Sequence, residues 1–564
     1  MIHSTHLLAR VWRRARPSSR LENRAAFTSI HAPAEGQKVL QTATTSRAAA
    51  GPKLVSRVPH PARSVLTNWL TYLISGVVSF FLSPFIVRHL GNSAYGIWVL
   101  LVSLTGYLGF LDLGIRGAVT RYIARFHAEG QHEQASRTVS SASGLFLVGG
   151  LLAIVGSGAF ALLAVPHFEI PPAYLRAAQI VVLIAGANVA ISLISGIFGG
   201  ILVGLQRFDL HNSIALSSTG LRAVAILLAL GSGKGLITLA LIQLGATVGE
   251  FILGFLFTRK LYPEMRFSIG HMYRDHVALI FSFGVFALLL QASTYLVYYT
   301  DAMVIGAFLP VSMITFFAIA GNLTIYARDL VGGFSRIMTP MASHMEVKTG
   351  TAGIRDASLK AARYCAMAIL PIFITFIIRG HSFISLWMGP AYADLSGHVL
   401  WILSIPWFFG AGAAVLSSTI LGIGKHKPVV PAAIAEGVCN LILSIILVKK
   451  MGIVGVAWGT AIPNMVVDIL YWPWYSRRTL GIPIREYARS IWFFPVVALL
   501  PFAICTYVVD KLSPAPNLMI FFLQVAAVLP SALVGAWYFG LVREEREAYL
   551  PNLTGPMFRV FHRT

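Results

Sequence analysis

From Leu66 onward the chain repeats one pattern: an apolar run of about twenty residues, a short break that usually holds Arg or Lys, and another apolar run. An α-helix rises about 1.5 Å per residue, so about twenty residues cross a hydrocarbon layer of roughly 30 Å. The runs lie at residues 66–87, 95–115, 141–165, 177–203, 210–230, 236–257, 277–303, 311–335, 361–378, 399–421, 428–448, 452–475, 490–509 and 516–541. They are continuous and do not alternate, which excludes the strand pattern of a membrane barrel. In lipid the backbone must satisfy its own hydrogen bonds, and helices do this within one segment. The expected fold is therefore all-α, a polytopic membrane protein of fourteen helices. Composition agrees: 12% of residues are charged and mean hydropathy is +0.72, against about 25% charged in a soluble domain.

The net charge of +22 does not point to nucleic acid, because no basic face with interleaved aromatics is present. The Lys and Arg sit in the tail and between the apolar runs, where they orient the chain and meet anionic headgroups of membrane lipids. The connections from even to odd runs hold 19 Lys/Arg, among them Arg116, Arg121, Arg125, Arg259, Lys360 and Arg477, and the other connections hold 7. The richer side is the cytoplasmic one, so both termini are expected inside. Trp69, Trp387 and Trp472 fall near run ends, as interfacial anchors do. Residues 1–65 carry eleven Lys/Arg and two acids without apolar periodicity. They have no secretory h-region and read as a disordered cytoplasmic tail. Cys365, Cys439 and Cys505 are far apart, and neither a disulfide framework nor a metal site can be built from them.

An internal repeat lies in the runs. "GLQRFDL" (Gly204–Leu210) pairs with "GIGKHKP" (Gly422–Pro428), and "GLITLA" (Gly235–Ala240) with "GIVGVA" (Gly452–Ala457), at offsets of 218 and 217 residues. The offset carries runs four to six onto ten to twelve. Six is even, so the halves share one orientation, and a cavity is expected between two six-helix bundles related about the membrane normal. The expected division is a tail (1–65), a first bundle (66–258), a cytoplasmic linker (259–276), a second bundle (277–476), and two extra helices with a cytoplasmic tail (477–564).

Charges inside the runs are the candidate functional groups, since an ionisable side chain in hydrocarbon costs about 2.5–3.5 kcal/mol on insertion scales. Arg222 lies mid-run in the fifth helix, and Glu250 in the sixth is deeper from the intervening turn by roughly 9 Å, a poor match for a simple pair. The repeat places Glu250 beside Asp468 and Arg222 beside Asn440, and an offset of about 213 places Arg116 at Asp329, next to Arg328. Asp112 and Arg116 are read as neighbours on one helix face at the inner cavity mouth. Asp301 and Glu436 complete the intramembrane acids, and Arg336 adds a base at the inner end of the eighth helix. Arg222, Arg116, Arg328 and Arg336 are the expected substrate-binding bases. Asp112, Glu250, Asp301, Asp329, Glu436 and Asp468 are the expected ion-coupling or structural acids. No catalytic or metal motif is present: "GSGKG" (Gly231–Gly235) lacks the leading glycine and the Ser/Thr of a P-loop, and no nucleophile elbow or metalloprotease motif appears. No cofactor and no enzymatic activity are expected.

The pattern Arg88-His-Leu-Gly91, Tyr95-Gly-Ile-Trp98, Asp112-Leu-Gly-Ile-Arg116 and Arg121-Tyr-Ile-Ala124 resembles the start of polysaccharide-biosynthesis (Wzx/RfbX-type) flippases of the multidrug/oligosaccharidyl-lipid/polysaccharide exporter superfamily. Asp301-Ala-Met-Val-Ile-Gly306 and Leu421-Gly-Ile-Gly-Lys425 resemble its seventh helix and its tenth-to-eleventh connection. The resemblance covers about residues 66–480. It implies alternating-access transport of polyprenyl-diphosphate-linked oligosaccharide across the bacterial inner membrane, by a monomer that works beside polysaccharide assembly proteins, with possible Na⁺ or H⁺ coupling. Lipid II flippases of the superfamily carry an Arg-Asp pair in the first helix, and here no charge lies between Arg63 and Arg88. A diphosphate head needs cationic groups, and guanidinium suits it. The alternative is a multidrug or cation antiporter on the same scaffold, which would want acids dominating the cavity. An integral-membrane glycosyl- or acyltransferase lacks its catalytic motif here.

Overall fold

The computed structural model describes residues 61–266, 272–281, 293, 295–297, 299–348 and 350–547. The expected tail falls outside them, except for its last residues at the start of the first helix. Parts of the linker and of the 277–303 run also lie outside, as does the C-terminal end. Among the described residues the secondary structure is helical, with no strand. In chain order the helices are α1 (Pro61–Tyr107), α2 (Ile115–Ala128), α3 (His132–Leu163), α4 (Pro172–Gly204), α5 (Phe208–Gly231), α6 (Leu236–Leu261), α7 (Thr300–Phe308), α8 (Ser312–Ser335), α9 (Met338–Lys348), α10 (Gly350–Trp387), α11 (Pro390–Ser404), α12 (Trp407–Gly422), α13 (Val429–Val466), α14 (Trp472–Leu480), α15 (Ile484–Tyr487), α16 (Phe494–Leu512) and α17 (Leu518–Gly535).

Among the described residues ten helical segments are long and apolar enough to cross a membrane, or eleven if α11 and α12, bent by 47° at their junction, make one span. Leu73–Asp112 and Val429–Leu480 each hold two of the fourteen expected runs, and most of the 277–303 run lies outside the described residues. Two segments are too long for one crossing: 40 residues at Leu73–Asp112 and 52 at Val429–Leu480, about twice what the hydrocarbon needs. Each breaks at a glycine whose backbone leaves the helical region, Gly91 (φ 77°) and Gly452 (φ 60°). At Gly452 the chain doubles back. A Cβ on Gly455 would lie 2.3 Å from the Leu447 carbonyl oxygen, and one on Gly459 would lie 2.3 Å from Ser444 Oγ, so the two arms pack antiparallel with only hydrogen between them. Lipid gives apolar helices no hydrophobic reason to associate, so such close approach of small residues holds them by van der Waals contact.

Within residues 59–564, which form one compact unit, α3, α4 and α6 pack together, as do α10, α11 and α12. The α13 hairpin packs on α7 and α11. Between these groups α1 bridges: its second arm, with Ile97 and Leu100, shares a core with Ile305 of α7 and Ile314 of α8. Trp387 and Trp472 are buried in this packing rather than placed at an interface. Trp387 donates its indole N–H to the Phe80 carbonyl at 3.0 Å and stacks on the Phe80 ring at 4.7 Å. For Trp387, aromatic partners and a reachable carbonyl on α1 make burial better than an interfacial seat.

The last helices are tied to α10 by charge. Arg379, 1% exposed, donates to Asp510 at 3.0 Å and Gln524 at 2.7 Å, and its guanidinium stands 4.5 Å from the centre of the Phe521 ring. Arg363 is buried against Glu545, and Arg355 pairs with Glu486. Both ends of α10 thus carry an ionic anchor for the C-terminal helices.

Candidate functional site

A central site lies where α1 meets α7, α8, α12 and the α13 hairpin, a cavity of about 360 Å³. Tyr95, Trp98, Tyr299, Phe317 and Trp407 give it aromatic walls, and among the described residues its charged groups are Asp301 and Arg328. Arg328 is half-buried on α8, with Nη2 3.6 Å from Asp329, whose own carboxylate is exposed. Asp301, 6% exposed in the first turn of α7, accepts hydrogen bonds from Thr460 Oγ1 at 2.9 and 3.0 Å. One hydroxyl proton serves only one carboxylate oxygen at a time. Thr460 Oγ1 is in turn the acceptor for Asn440 Nδ2 at 3.0 Å, and Asn440 Oδ1 is buried with no hydrogen-bond partner among the described residues. The Gly452 turn makes this chain possible by setting Asn440 and Thr460 level on facing arms.

A second pocket, about 200 Å³, lies between α2, α4, α5 and α6 and holds Arg116, His211 and Glu250. Its geometry corrects the expectation that Asp112 and Arg116 share one helix face. Helix α1 ends in a 3₁₀ turn at Leu108–Asp112, Leu113 and Gly114 are left-handed (φ 48° and 71°), and α2 starts afresh. Asp112 Oδ1 accepts the backbone N–H of Arg116 at 3.1 Å, while the side-chain pair is loose at 3.7 Å. The acid therefore satisfies an orphan donor in the first turn of α2, and the guanidinium is left to lie along α4. There a Cβ on residue 196 would come within 2.5 Å of Arg116 Nε, so the glycine leaves room for the guanidinium as it lies.

Arg222 occupies a third place. It donates to Gln243 Oε1 at 2.9 Å and lines a groove of about 300 Å³ between α5 and α6 that ends at Glu250. The groove is rimmed by Leu221, 71% exposed. The depth comparison made from sequence used only charged partners. Arg222 is as far from the turn as Gln243, so the neutral amide takes the bond that Glu250 is too deep to take.

Asp468 is 7% exposed in a π-helical turn, Val467–Tyr471. It packs on Gly410 of α12, where a Cβ would lie 2.5 Å from Oδ2, and Glu436 on α13 is its electrostatic neighbour. Arg336 is exposed at the end of α8. The structure thus brings Asp301 together with Arg328, Arg116 with Glu250, and Asp468 with Glu436. It does not bring Arg222, Arg116 and Arg328 into one cavity. Sequence reasoning missed the aromatic walls and the Asn440–Thr460 relay. Both are uncharged, and only the polar pair within an apolar hairpin gave a readable signal.

A family model described as "Polysaccharide biosynthesis protein" matches residues 62–345, half of the chain. The chain belongs to the polysaccharide biosynthesis protein family. The matched stretch includes Arg116, Arg222, Glu250, Asp301 and Arg328, so the family's region contains the first bundle and the start of the second. Among its relatives, a Shigella flexneri protein named for O-antigen transport is 22% identical over 74% of this chain and 97% of its own. The membrane protein EpsK of Bacillus subtilis is 21% identical over 86% and 96%. A Haloferax volcanii protein named as the low-salt glycan biosynthesis flippase Agl15 is 23% identical over 73% and 82%. In fold the chain is similar to the lipid II flippase MurJ in an inward closed conformation, with a TM-score of 0.66, 16% identity, and coverage of 84% of this chain and 98% of that one. It is also similar to an inward-facing multidrug MATE transporter, with a TM-score of 0.61, 16% identity, and coverage of 74% and 99%.

Proposed function

We propose that this chain is a flippase that carries polyprenyl-diphosphate-linked oligosaccharide across the bacterial inner membrane for surface polysaccharide biosynthesis. It works by alternating access between its two halves, with both termini cytoplasmic. The observation that carries the reading is the central cavity: one guanidinium and five aromatic side chains at the junction of the halves, in a chain of the polysaccharide biosynthesis family. A diphosphate takes bidentate hydrogen bonds from guanidinium, and ring faces suit the apolar faces of sugars. A volume near 360 Å³ is at the small end of ligand sites, about 300–1,000 Å³, and holds the diphosphate with its first sugar. The antiporter alternative is disfavoured, because acids do not dominate the cavity and sequence relatives of this chain are named for glycans.

In this reading Arg328 holds the head group, Arg116 and the exposed Arg336 gather substrate at the cytoplasmic side, and Arg222 has a supporting place in the α5–α6 groove. Asp301 is the coupling acid. Its carboxylate, Thr460 Oγ1 and the unpartnered Asn440 Oδ1 form an all-oxygen set of the kind that takes a hard cation such as Na⁺, or H⁺ on the carboxylate itself. The protein acts as a monomer beside polysaccharide assembly proteins and catalyses no covalent step.

The test uses Arg328→Lys and Arg328→Ala, with surface polysaccharide and membrane abundance measured together. Lys should retain part of the export. Ala should reduce it more than about 10-fold at normal abundance, the scale of one charge-assisted contact of about 1.5–3 kcal/mol. Export undiminished in Arg328→Ala would remove the central cavity from the transport path.

A further inference from the structure

A cluster outside every cavity described above has the composition of a metal site. His381 stands near the end of α10, and Asp394 and His398 stand on α11. One ligand atom from each lies within 4.8 Å of the others. Asp394 and His398 are four residues apart in one helix, so they project from one face. The turn at Gly389 brings α11 back beside α10, and His381 meets that face from the side. Its ring lies over Gly397, where a Cβ would come within 2.6 Å, and its plane is at 90° to His398 with centroids 4.9 Å apart.

The spacings are those of a coordination shell. His381 Nε2 is 3.5 Å from His398 Nδ1, and His398 Nδ1 is 3.4 Å from Asp394 Oδ1. Ligands at about 2.0–2.1 Å from a tetrahedral ion stand about 3.3–3.4 Å from one another. All three side chains are exposed, so they need only small rotations, and no desolvated charge opposes the ion.

We propose that His381, Asp394 and His398 bind a divalent transition metal, zinc(II) foremost, with water in the fourth position. Two imidazoles and a carboxylate select zinc-like ions over Mg²⁺ or Ca²⁺, which prefer all-oxygen shells. In the apo protein His398 Nδ1 lies 2.8 Å from the Asp394 carbonyl oxygen. On binding, Nδ1 exchanges that contact for the metal. The ion bridges α10 to α11 on the membrane side opposite the α2–α3 turn, as the loop charges orient the chain. It is therefore independent of the substrate cavity.

The full-length protein, purified in detergent with any affinity tag removed, is titrated with ZnCl₂ against a chromogenic chelator and with CoCl₂ by visible absorption. Wild type should bind one zinc per chain in the micromolar range and show the intense visible bands of tetrahedral Co²⁺. His381→Ala with His398→Ala should weaken that binding more than 10-fold and abolish the bands. Asp394→Asn keeps the helix surface intact and should weaken binding by a smaller factor, which guards against a misfolded double variant. Equal zinc affinity in wild type and in both variants, or cobalt bands unchanged in Asp394→Asn, would overturn the site.

Discussion

The hairpin α5–α6 and the hairpin inside α13 occupy equivalent places in the two halves, and each is tied across by one polar bond. In the first it is Arg222 to Gln243 and in the second Asn440 to Thr460, at offsets of 218 and 217 residues. The offset is the one seen in the loop motifs, so the repeat extends to individual hydrogen bonds. What differs is where the bond leads. Arg222 opens on a groove rimmed by exposed leucine, whereas Thr460 donates its hydroxyl hydrogen bond to Asp301 in the central cavity. The sixth-helix acids diverge in the same way: Glu250 is half-buried beside Arg116, and Asp468 is buried against Gly410 with Glu436 beside it. A shared backbone plan thus carries unlike chemistry: a guanidinium bonded to a neutral amide ties the first hairpin, and a hydrogen-bonded chain to a buried acid ties the second.

The sharpest way to break this comparison is at Asp301. If the second half alone carries coupling, Asp301→Asn, which keeps the shape and removes the charge, should lower export more than 10-fold at normal membrane abundance. A change at the tying bond of the first half, Gln243→Glu, should leave export within about two-fold, since a half-buried ion pair with Arg222 contributes about 1 kcal/mol or less. Surface polysaccharide in the two strains checks both. Equal losses would mean that the halves share coupling.

A smaller effect is expected at the paired glycines. Gly196 makes room for Arg116 and Gly410 for Asp468. Arg116 is 48% exposed and flexible, so it can swing away from a new methyl group, whereas buried Asp468 cannot. Gly410→Ala should destabilise by about 1–3 kcal/mol, the usual cost of overpacking. Gly196→Ala should cost about 1 kcal/mol or less, since a flexible end can move. Thermal unfolding in detergent measures the difference, and a larger loss at Gly196 would reverse the assignment of which half is rigid.

Run length and charge alone made the helical membrane fold legible, because lipid imposes one backbone solution. The offset of 217–218 residues was also legible, and it placed Arg222 opposite Asn440 before any hydrogen bond was seen. The breaks at Gly91 and Gly452 were legible too, since each falls beside charges that separate two apolar runs, Arg88 in the first case and Lys449 with Lys450 in the second. At Asp112 the apolar pattern runs on through the 3₁₀ turn, so the left-handed step at Leu113 is invisible and the acid reads as an ion-pair partner when it is a cap. The aromatic cavity walls come from α1, α7, α8 and the region around α12, and no periodicity in one segment announces that four such segments converge.

The smallest expected effect is at the Arg222–Gln243 bond, and it decides how far the two halves are chemically equivalent. Arg222 was the sequence's foremost substrate group because a mid-membrane guanidinium is expensive. The structure supplies a neutral partner at the same depth and puts the pair outside the central cavity. Double-mutant cycles of polar bonds in membranes average about 0.6 kcal/mol, and a charge-assisted bond reaches about 1.5–3 kcal/mol. Arg222→Ala, Gln243→Ala and the double variant should therefore give a coupling of about 1 kcal/mol in unfolding, with export retained in all three. Arg222→Ala should cost more alone than Gln243→Ala, since it also removes the base nearest Glu250 along the groove. If export instead collapses in Arg222→Ala while stability and abundance hold, and Gln243→Ala is silent, the guanidinium meets the substrate during the transport cycle. The first half would then contribute directly to diphosphate binding.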